Sequence, residues 1–213
     1  GEKHLMKIYK ASGVNVILDI GANKGQFAKL CLNDTAAIVH SFEPQISCSA
    51  SLIALKNEFA DRFFFYPIGL GENTCEKELM VNNKSSELSS FDLRVNNHPF
   101  LNGEFNRTEK CSMVTLNEFM NNNSTLIGQV DLIKIDVEGY EEKVIEGGLN
   151  FIEVFKPKFI QVELNWHHLF TNTTLWRIHL LLQKYQPHIL LPYKSGLYPV
   201  DSRDYRNNLF CLS

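Results

Sequence analysis

The stretch Val16-Ile-Leu-Asp-Ile-Gly-Ala-Asn-Lys-Gly25 decides the fold. Apolar residues surrounding one acid read as a strand covered on both faces, which runs apolar instead of alternating. Gly21 and Gly25 then end the strand and open a helix, with the freedom a tight turn or a close ligand approach requires. A second acid, Glu43, closes the next apolar run, Ile38-Val-His-Ser-Phe42, about twenty residues on, where a carboxylate can accept both hydroxyls of a ribose. The two segments together point to a sheet that holds an adenosine-containing cofactor. The glycines alone would fit any tight strand-to-helix turn of a doubly wound protein.

Outward from that stretch the chain alternates. A leading helix is expected over 2–11, a strand over 14–19, a helix over 23–32, a strand over 37–42 and a helix over 46–59. The run 62–68 reads as a strand buried on both faces, and the alternation implies a parallel sheet. Short strands are expected over 75–81 and 110–114, separated by a polar, Asn-rich loop over 82–108. A loop of that length is more often a lid or a binding loop than a connector. Beyond it come a helix over 115–120, a strand over 130–135, and a helix over 140–146 closed by Gly147-Gly148. Strands over 158–164, 188–191 and 207–212 and a helix over 174–185 complete the expectation.

The chain has 213 residues, a length suited to one large α/β domain that buries its own core. With no internal linker or repeat, 1–213 reads as a single domain, and an opening on Gly1-Glu2 instead of Met is the pattern of a domain cut from a longer polypeptide. A formal net charge of -3 argues against electrostatic capture of nucleic acid or an anionic membrane. No apolar run is long enough to span a bilayer. The five cysteines are scattered without zinc or redox spacing, which fits reduced thiols in a cytoplasmic protein. The sequence leaves the oligomeric state open.

The glycine spacing separates two cofactor classes. A nicotinamide enzyme more often carries Gly-x-Gly-x-x-Gly, whose helix amino terminus binds a pyrophosphate. Gly-x-x-x-Gly preceded by Asp19 fits S-adenosylmethionine better, since that ligand has a charged amino-acid tail and no phosphate. Ile68 and Gly69 stand where adenine contacts are expected, by position alone. A second segment, Asp131-Leu-Ile-Lys-Ile-Asp-Val-Glu-Gly-Tyr-Glu141, places Asp136 and Glu138 past the carboxyl end of a buried strand, the side on which open α/β sheets bind ligands. Lys134, inside that apolar strand, is expected to be salt-bridged.

Leu18-Asp-Ile-Gly-Ala-Asn-Lys-Gly-Gln-Phe27, Ser41-Phe-Glu-Pro44, Leu132-Ile-Lys-Ile-Asp-Val-Glu-Gly-Tyr-Glu141 and Val144-Ile-Glu-Gly-Gly148 resemble the FkbM family of S-adenosylmethionine-dependent methyltransferases. The resemblance runs from about residue 14 to about residue 164. It implies a Rossmann-like class I methyltransferase fold, with a mostly parallel seven-stranded sheet flanked by helices, and transfer to a hydroxyl. The family's cofactor positions fall on Asp19, Gly21, Asn23, Gly25, Phe27 and Glu43, and its active-site segment on Asp136-Val-Glu-Gly139. The pattern weakens over 82–108 and after Asn165, the parts that would choose the acceptor.

An alcohol is a poor nucleophile until a base or a metal takes its proton. Asp136 or Glu163 could act as the base, with His167 or His168 nearby. Alternatively Asp136, Glu163 and Asn165 could hold Mg2+, a hard cation suited to oxygen ligands. Acceptor contacts are expected from Glu138, Tyr140, Ser86, Arg94, His98, Trp166 and His168. The reading is an O-methyltransferase for a sugar or glycan hydroxyl, a deoxyhexose such as rhamnose among the acceptors considered. Its rivals are a nicotinamide-dependent oxidoreductase, disfavoured by the absence of a Tyr-x-x-x-Lys pair after a central strand, and a catalytically inactive cofactor-binding module.

Overall fold

The computed structural model describes residues 2–82, 86, 89–91, 105–123, 129–165, 168–171, 173–190 and 197–200. The first half runs α1 (Glu2–Ala11), β1 (Val16–Ile20), α2 (Gln26–Asp34), β2 (Ile38–Phe42), a 3-10 turn (Ile46–Cys48), α3 (Ser49–Glu58) and β3 (Phe63–Tyr66). The middle comprises β4 (Gly69–Leu70), β5 (Cys75–Asn82), β6 (Phe105–Val114) and α4 (Leu116–Asn123). Then follow β7 (Leu132–Ile135), α5 (Glu141–Phe155), β8 (Phe159–Val162), α6 (His168–Thr171), α7 (Leu175–Leu181), β9 (His188–Leu190) and β10 (Leu197–Pro199).

Five strands form one parallel sheet in the order β3-β2-β1-β7-β8. From β1 the chain winds outward through β2 to β3, then returns to the far side of β1 for β7 and β8. The order therefore reverses between β1 and β7, and the crevice at their carboxyl ends is where such sheets bind ligands. The core fills both faces of the sheet. Ile17, Val39 and Leu132 pack against α1, α2 and α3, while Leu18, Ile20, Ile133 and Ile135 pack against α4, α5 and α7. The two-residue period of a strand sorts them between the faces.

One row of that sheet is polar. Ser41, Asp19, Lys134 and Gln161 are register partners across β2, β1, β7 and β8. Ser41 Oγ donates to Asp19 Oδ2 at 3.1 Å, and Tyr9 Oη from α1 donates to Gln161 Oε1 at 2.8 Å. Lys134 Nζ lies 2.8 Å from Asp136 Oδ2 and 3.9 Å from Asp19 Oδ1, so the buried ammonium is held by two carboxylates. Burial would lower the Lys134 pKa, but the charges of Asp136 and Asp19 outweigh it and hold the group firmly protonated.

Several expectations need correction. Among the described residues the parallel sheet has five strands where seven are expected: β9 and β10 make a separate antiparallel pair, and the strand expected over 207–212 lies outside the described residues. The run 62–68 shrinks to β3 at the sheet edge, where Phe64 is 37% exposed instead of covered on both faces. Its ring stacks on His40 at 4.9 Å, so cross-strand pairing explains the aromatic run as much as burial does. The loop expected over 82–108 is shorter, because β6 begins at Phe105 and pairs antiparallel with β5 over the length of that strand.

Gly147-Gly148 does not close α5, which continues to Phe155 and is capped by Lys156 at φ 48. The glycines are contact positions. A Cβ on Gly147 would stand 2.0 Å from the Gly71 carbonyl oxygen, and one on Gly148 3.0 Å from Leu116 Cδ2. Helix propensity costs about 1 kcal/mol per glycine, and close packing of helix on loop requires that cost here. Among the described residues no helix is long and apolar enough to cross a membrane. Cys48, Cys75 and Cys111 are free thiols.

Candidate functional site

The turn after β1 is held by backbone groups of β2. Gly21 and Ala22 N–H both donate to the Phe42 carbonyl, at 3.0 and 3.1 Å. Gly21 sits at φ 81, and a Cβ there would stand 1.8 Å from the Asp136 carbonyl oxygen, so the turns after β1 and β7 touch backbone to backbone. Asn23 adopts φ 49, an αL conformation that Asn tolerates better than most residues. Its N–H donates to Glu43 Oε2 at 2.8 Å, and Gln45 N–H donates to Glu43 Oε1 at 2.8 Å.

Each Glu43 oxygen thus takes one backbone donor and retains capacity for another. The carboxyl is 8% exposed. Burial pushes its pKa up to about 7; the Gln45 and Asn23 donors oppose the rise, and the charges of Asp19 and Asp136 add to it. A hydroxyl-bearing ligand would supply the donors that burial denies this carboxylate.

The turn after β7 is strained and braced. Glu138 lies at φ 52 and Gly139 at φ 97. A non-glycine residue in that region costs on the order of 1–2 kcal/mol, so other contacts must hold it. Glu141, fully buried at the start of α5, turns its carboxylate back onto the turn: Oε1 accepts Val137 N–H at 2.9 Å and Oε2 accepts Gly139 N–H at 3.1 Å. Asn165 Nδ2 donates to Glu138 Oε2 at 2.6 Å, and Ser90 Oγ donates to the Glu138 carbonyl at 2.9 Å.

A cavity of about 380 Å3 opens at this switch point. Of the expected residues, Gly21, Asn23, Phe27 and Glu43 line it on the β1–β2 side, and Asp136, Glu138 and Glu163 at the ends of β7 and β8. Ser86 also reaches it, donating to Asn23 Oδ1 at 2.8 Å. Gln26, Gln45, Ser89, Phe91 and Lys134 line it as well and were not foreseen as cavity residues. Gln45 stands two residues after Glu43, and its side chain follows from the turn that its own N–H makes. Ser89 and Phe91 arrive from the segment after β5, which no periodicity marks.

Other expected residues stand elsewhere. Asp19 is fully buried beneath the floor, in the polar row of the sheet. Gly25 lies behind the cavity at φ 82, where a Cβ would meet Leu52 Cδ2 at 3.0 Å, so it packs α2 on α3. Ile68 packs into the core, and Gly69 lies against Met113. Tyr140 points away: its hydroxyl donates to Glu72 Oε2 at 2.6 Å and accepts from Lys77 Nζ at 2.5 Å. His168 is also corrected. It is 1% exposed, and its Nε2 meets Glu141 Oε2 at 2.7 Å, which makes it a buried partner and not an acceptor contact. Arg94, His98, Trp166 and His167 lie outside the described residues.

Two of the three expected Mg2+ ligands, Asp136 and Asn165, are engaged by other groups. Asp136 Oδ2 faces the Lys134 ammonium, which already occupies the position a cation would take, and Asn165 donates its amide to Glu138. Among the described residues no group of three or more His, Cys, Asp or Glu side chains is placed to hold a metal ion.

The parallel order, the switch-point cavity and the acid at the end of β2 define a Rossmann-like methyltransferase fold. The model of the methyltransferase FkbM domain matches residues 19–188, and the chain belongs to that family. No curated protein matches the chain. The crystal structure of methyltransferase FkbM from Methylobacillus flagellatus KT aligns with a TM-score of 0.45 and 19% identity, over 68% of this chain and 31% of that one. The present chain therefore spans less than a third of the Methylobacillus chain's length. The SAH-bound methyltransferase PaMTH1 of Podospora anserina aligns with a TM-score of 0.46 and 14% identity, over 94% and 78% of the two chains. Both structural likenesses are loose, and the family match carries the assignment.

Proposed function

We propose that the chain is an S-adenosylmethionine-dependent O-methyltransferase acting on a sugar or glycan hydroxyl. The observation that carries the proposal is the cavity at the β1–β7 switch point, which joins the Gly21–Asn23 turn and Glu43 to the strand-end carboxylates Asp136, Glu138 and Glu163. The residues present fit this donor. Glu43, buried with lone pairs to spare, suits a vicinal diol, and the surrounding carboxylates suit a ligand that carries a sulfonium and an ammonium. Gly21, Asn23, Phe27 and Glu43 would hold it. When bound, S-adenosylmethionine supplies an electrophilic methyl group with a good leaving group behind it.

The chain's own contribution is then alignment and proton removal. Asp136 and Glu163 end adjacent strands, and Glu163 N–H donates to the Ile135 carbonyl at 3.0 Å, so the two carboxyl-bearing positions are fixed side by side. One of them accepts the acceptor's hydroxyl proton on a carboxylate oxygen. The hydroxyls of Ser86 and Ser89, the carboxylate of Glu138 and the ring of Phe91 are groups that recognise a hydroxyl-rich ring. A methyl-transfer assay over a glycan panel that includes deoxyhexoses, read by mass spectrometry, tests the acceptor class; no methylated carbohydrate would overturn it. A melting-temperature rise with S-adenosylhomocysteine but not with NAD is expected, and the reverse would restore the oxidoreductase reading.

A further inference from the structure

We propose that Glu141 and His168 form a positioning pair that ties the turn after β7 to the segment after β8, and so sets where Asp136, Glu138 and Glu163 present their carboxylates. The inference rests on reading the cavity as the transfer site.

Three observations converge on it. Glu141 carries the turn, because its carboxylate accepts the N–H groups of Val137 and Gly139 that bracket the left-handed Glu138. His168 comes from a different element, α6, and places Nε2 2.7 Å from Glu141 Oε2 with both side chains fully buried. The other ring nitrogen grips the chain after β8: Nδ1 lies 3.0 Å from both the amide nitrogen and the carbonyl oxygen of Asn165. Asn165 in turn reaches Glu138. A closed circuit results, running from the backbone that flanks Glu138 through Glu141, His168 and Asn165 and back to the Glu138 carboxylate. Glu163 is two residues upstream of Asn165 and Asp136 two upstream of Glu138, so the circuit fixes both cavity carboxylates without any member but Glu138 lining the cavity.

The imidazole can hold this position in either protonation state. With the proton on Nε2 alone, Nδ1 accepts the Asn165 N–H; with both nitrogens protonated, Nδ1 donates to the Asn165 carbonyl. Glu141 and Glu138 are the charged groups that face it. Burial would lower its pKa, yet the hydrogen bond and charge of Glu141 outweigh burial and raise it above the ordinary value. Its titration therefore changes the charge on Glu141's partner while the segment stays attached.

The test uses amide NMR and calorimetry on the unliganded full chain, with Glu141→Gln, His168→Gln and the double variant. In the wild type the Val137 and Gly139 amide signals should titrate above the ordinary histidine range; His168→Gln should abolish that titration and Glu43→Gln should retain it. Each single variant should raise exchange of those two amides about tenfold while Leu18 and Ile133 keep their protection. Affinity for S-adenosylhomocysteine should fall about three- to tenfold in each single variant and no further in the double. A uniform rise in exchange over core strands would mark a merely structural role and overturn the proposal. So would wild-type exchange in His168→Gln, additive losses in the double variant, or no titration of the two wild-type amides. If the wild type fails to bind S-adenosylhomocysteine, the cofactor reading fails, and the exchange and titration arms still decide the pair.

Discussion

Glu43 should make the unliganded protein lose stability as the pH rises through neutrality. Its folded-state pKa of about 7 stands above the ordinary 4.5, so the folded chain binds this proton more tightly than the unfolded chain does. The resulting stabilisation is complete below the unfolded value and fades as pH climbs through the folded one. Integrating over that window, about 2.5 kcal/mol is lost between pH 5 and pH 8. For a chain of this length that is a fall of about 5–10 °C in melting temperature. Glu43→Gln removes the titration. It also exchanges one acceptor oxygen for a donor facing a backbone N–H, a pH-independent cost of about 1–3 kcal/mol. The decisive quantity is therefore the slope. Urea unfolding at steps across this range should show the variant gaining about 2.5 kcal/mol on the wild type from acid to alkaline end. His168, whose pKa Glu141 raises, persists in both proteins, so its titration cancels from the difference. Parallel wild-type and variant profiles would show that Glu43 is not a strained carboxyl, and the argument from its burial would fall.

Other consequences are equally open to measurement. If Glu43 holds the donor as proposed, it does so ionised, and S-adenosylhomocysteine affinity read by calorimetry should rise about tenfold between pH 6 and pH 8 and then level off. Gly147→Ala should lower the melting temperature despite a helix-propensity gain of about 1 kcal/mol, because the new methyl would stand 2.0 Å from the Gly71 carbonyl. Gly148→Ala, whose methyl would meet the Leu116 side chain at 3.0 Å from Cδ2 and 3.3 Å from Cβ and no backbone, should change it by less than half as much. Gly21→Ala combines φ 81 with a 1.8 Å approach to the Asp136 carbonyl and should abolish S-adenosylhomocysteine binding in a calorimetric titration. Asp136→Asn or Glu163→Gln should reduce methyl transfer at least about a hundredfold for whichever is the base. EDTA should leave transfer intact; loss restored by Mg2+ would return the metal route.

The β1–β2 side of the cavity, lined by Gly21, Asn23, Phe27 and Glu43, is legible in the sequence because its signals are local. The acid in β1, the glycine turn and the acid after β2 lie within one strand-helix-strand unit, and their period and spacing fix which way each side points. Lys134 is a paired lysine, as its place in an apolar strand predicts, although its place in the cavity wall depends on the register with Asp19. Long-range contacts hid the rest. Gly147-Gly148 has the local form of a helix stop, and only the approach of Gly71 reveals its use. His168, between Trp166 and Leu169-Phe170, reads either as a base or acceptor contact or as a hydrogen-bonded histidine at a helix start, and the choice is hidden because its partner, Glu141, lies on another element. The left-handed Glu138 carries no glycine to announce it, since the conformation is imposed by bonds from Glu141, Asn165 and Ser90. Of the acceptor side, β6 was recognised only in its second half, because polar residues occupy its outer portion.

The contact between Gly71 and Gly147 has a consequence for how such a protein can diversify. It welds the root of the β5–β6 hairpin to α5, and the Gly71 N–H is further pinned to the Val114 carbonyl at 3.0 Å. The far end of the hairpin, by contrast, sends Leu79 to the cavity, where Ser86, Ser89 and Phe91 join it. Lengthening the chain between Asn82 and Phe105 costs only about 0.6 kcal/mol per doubling in closure entropy. That span can therefore be rewritten in length and sequence while the root stays fixed and the cavity floor keeps its geometry.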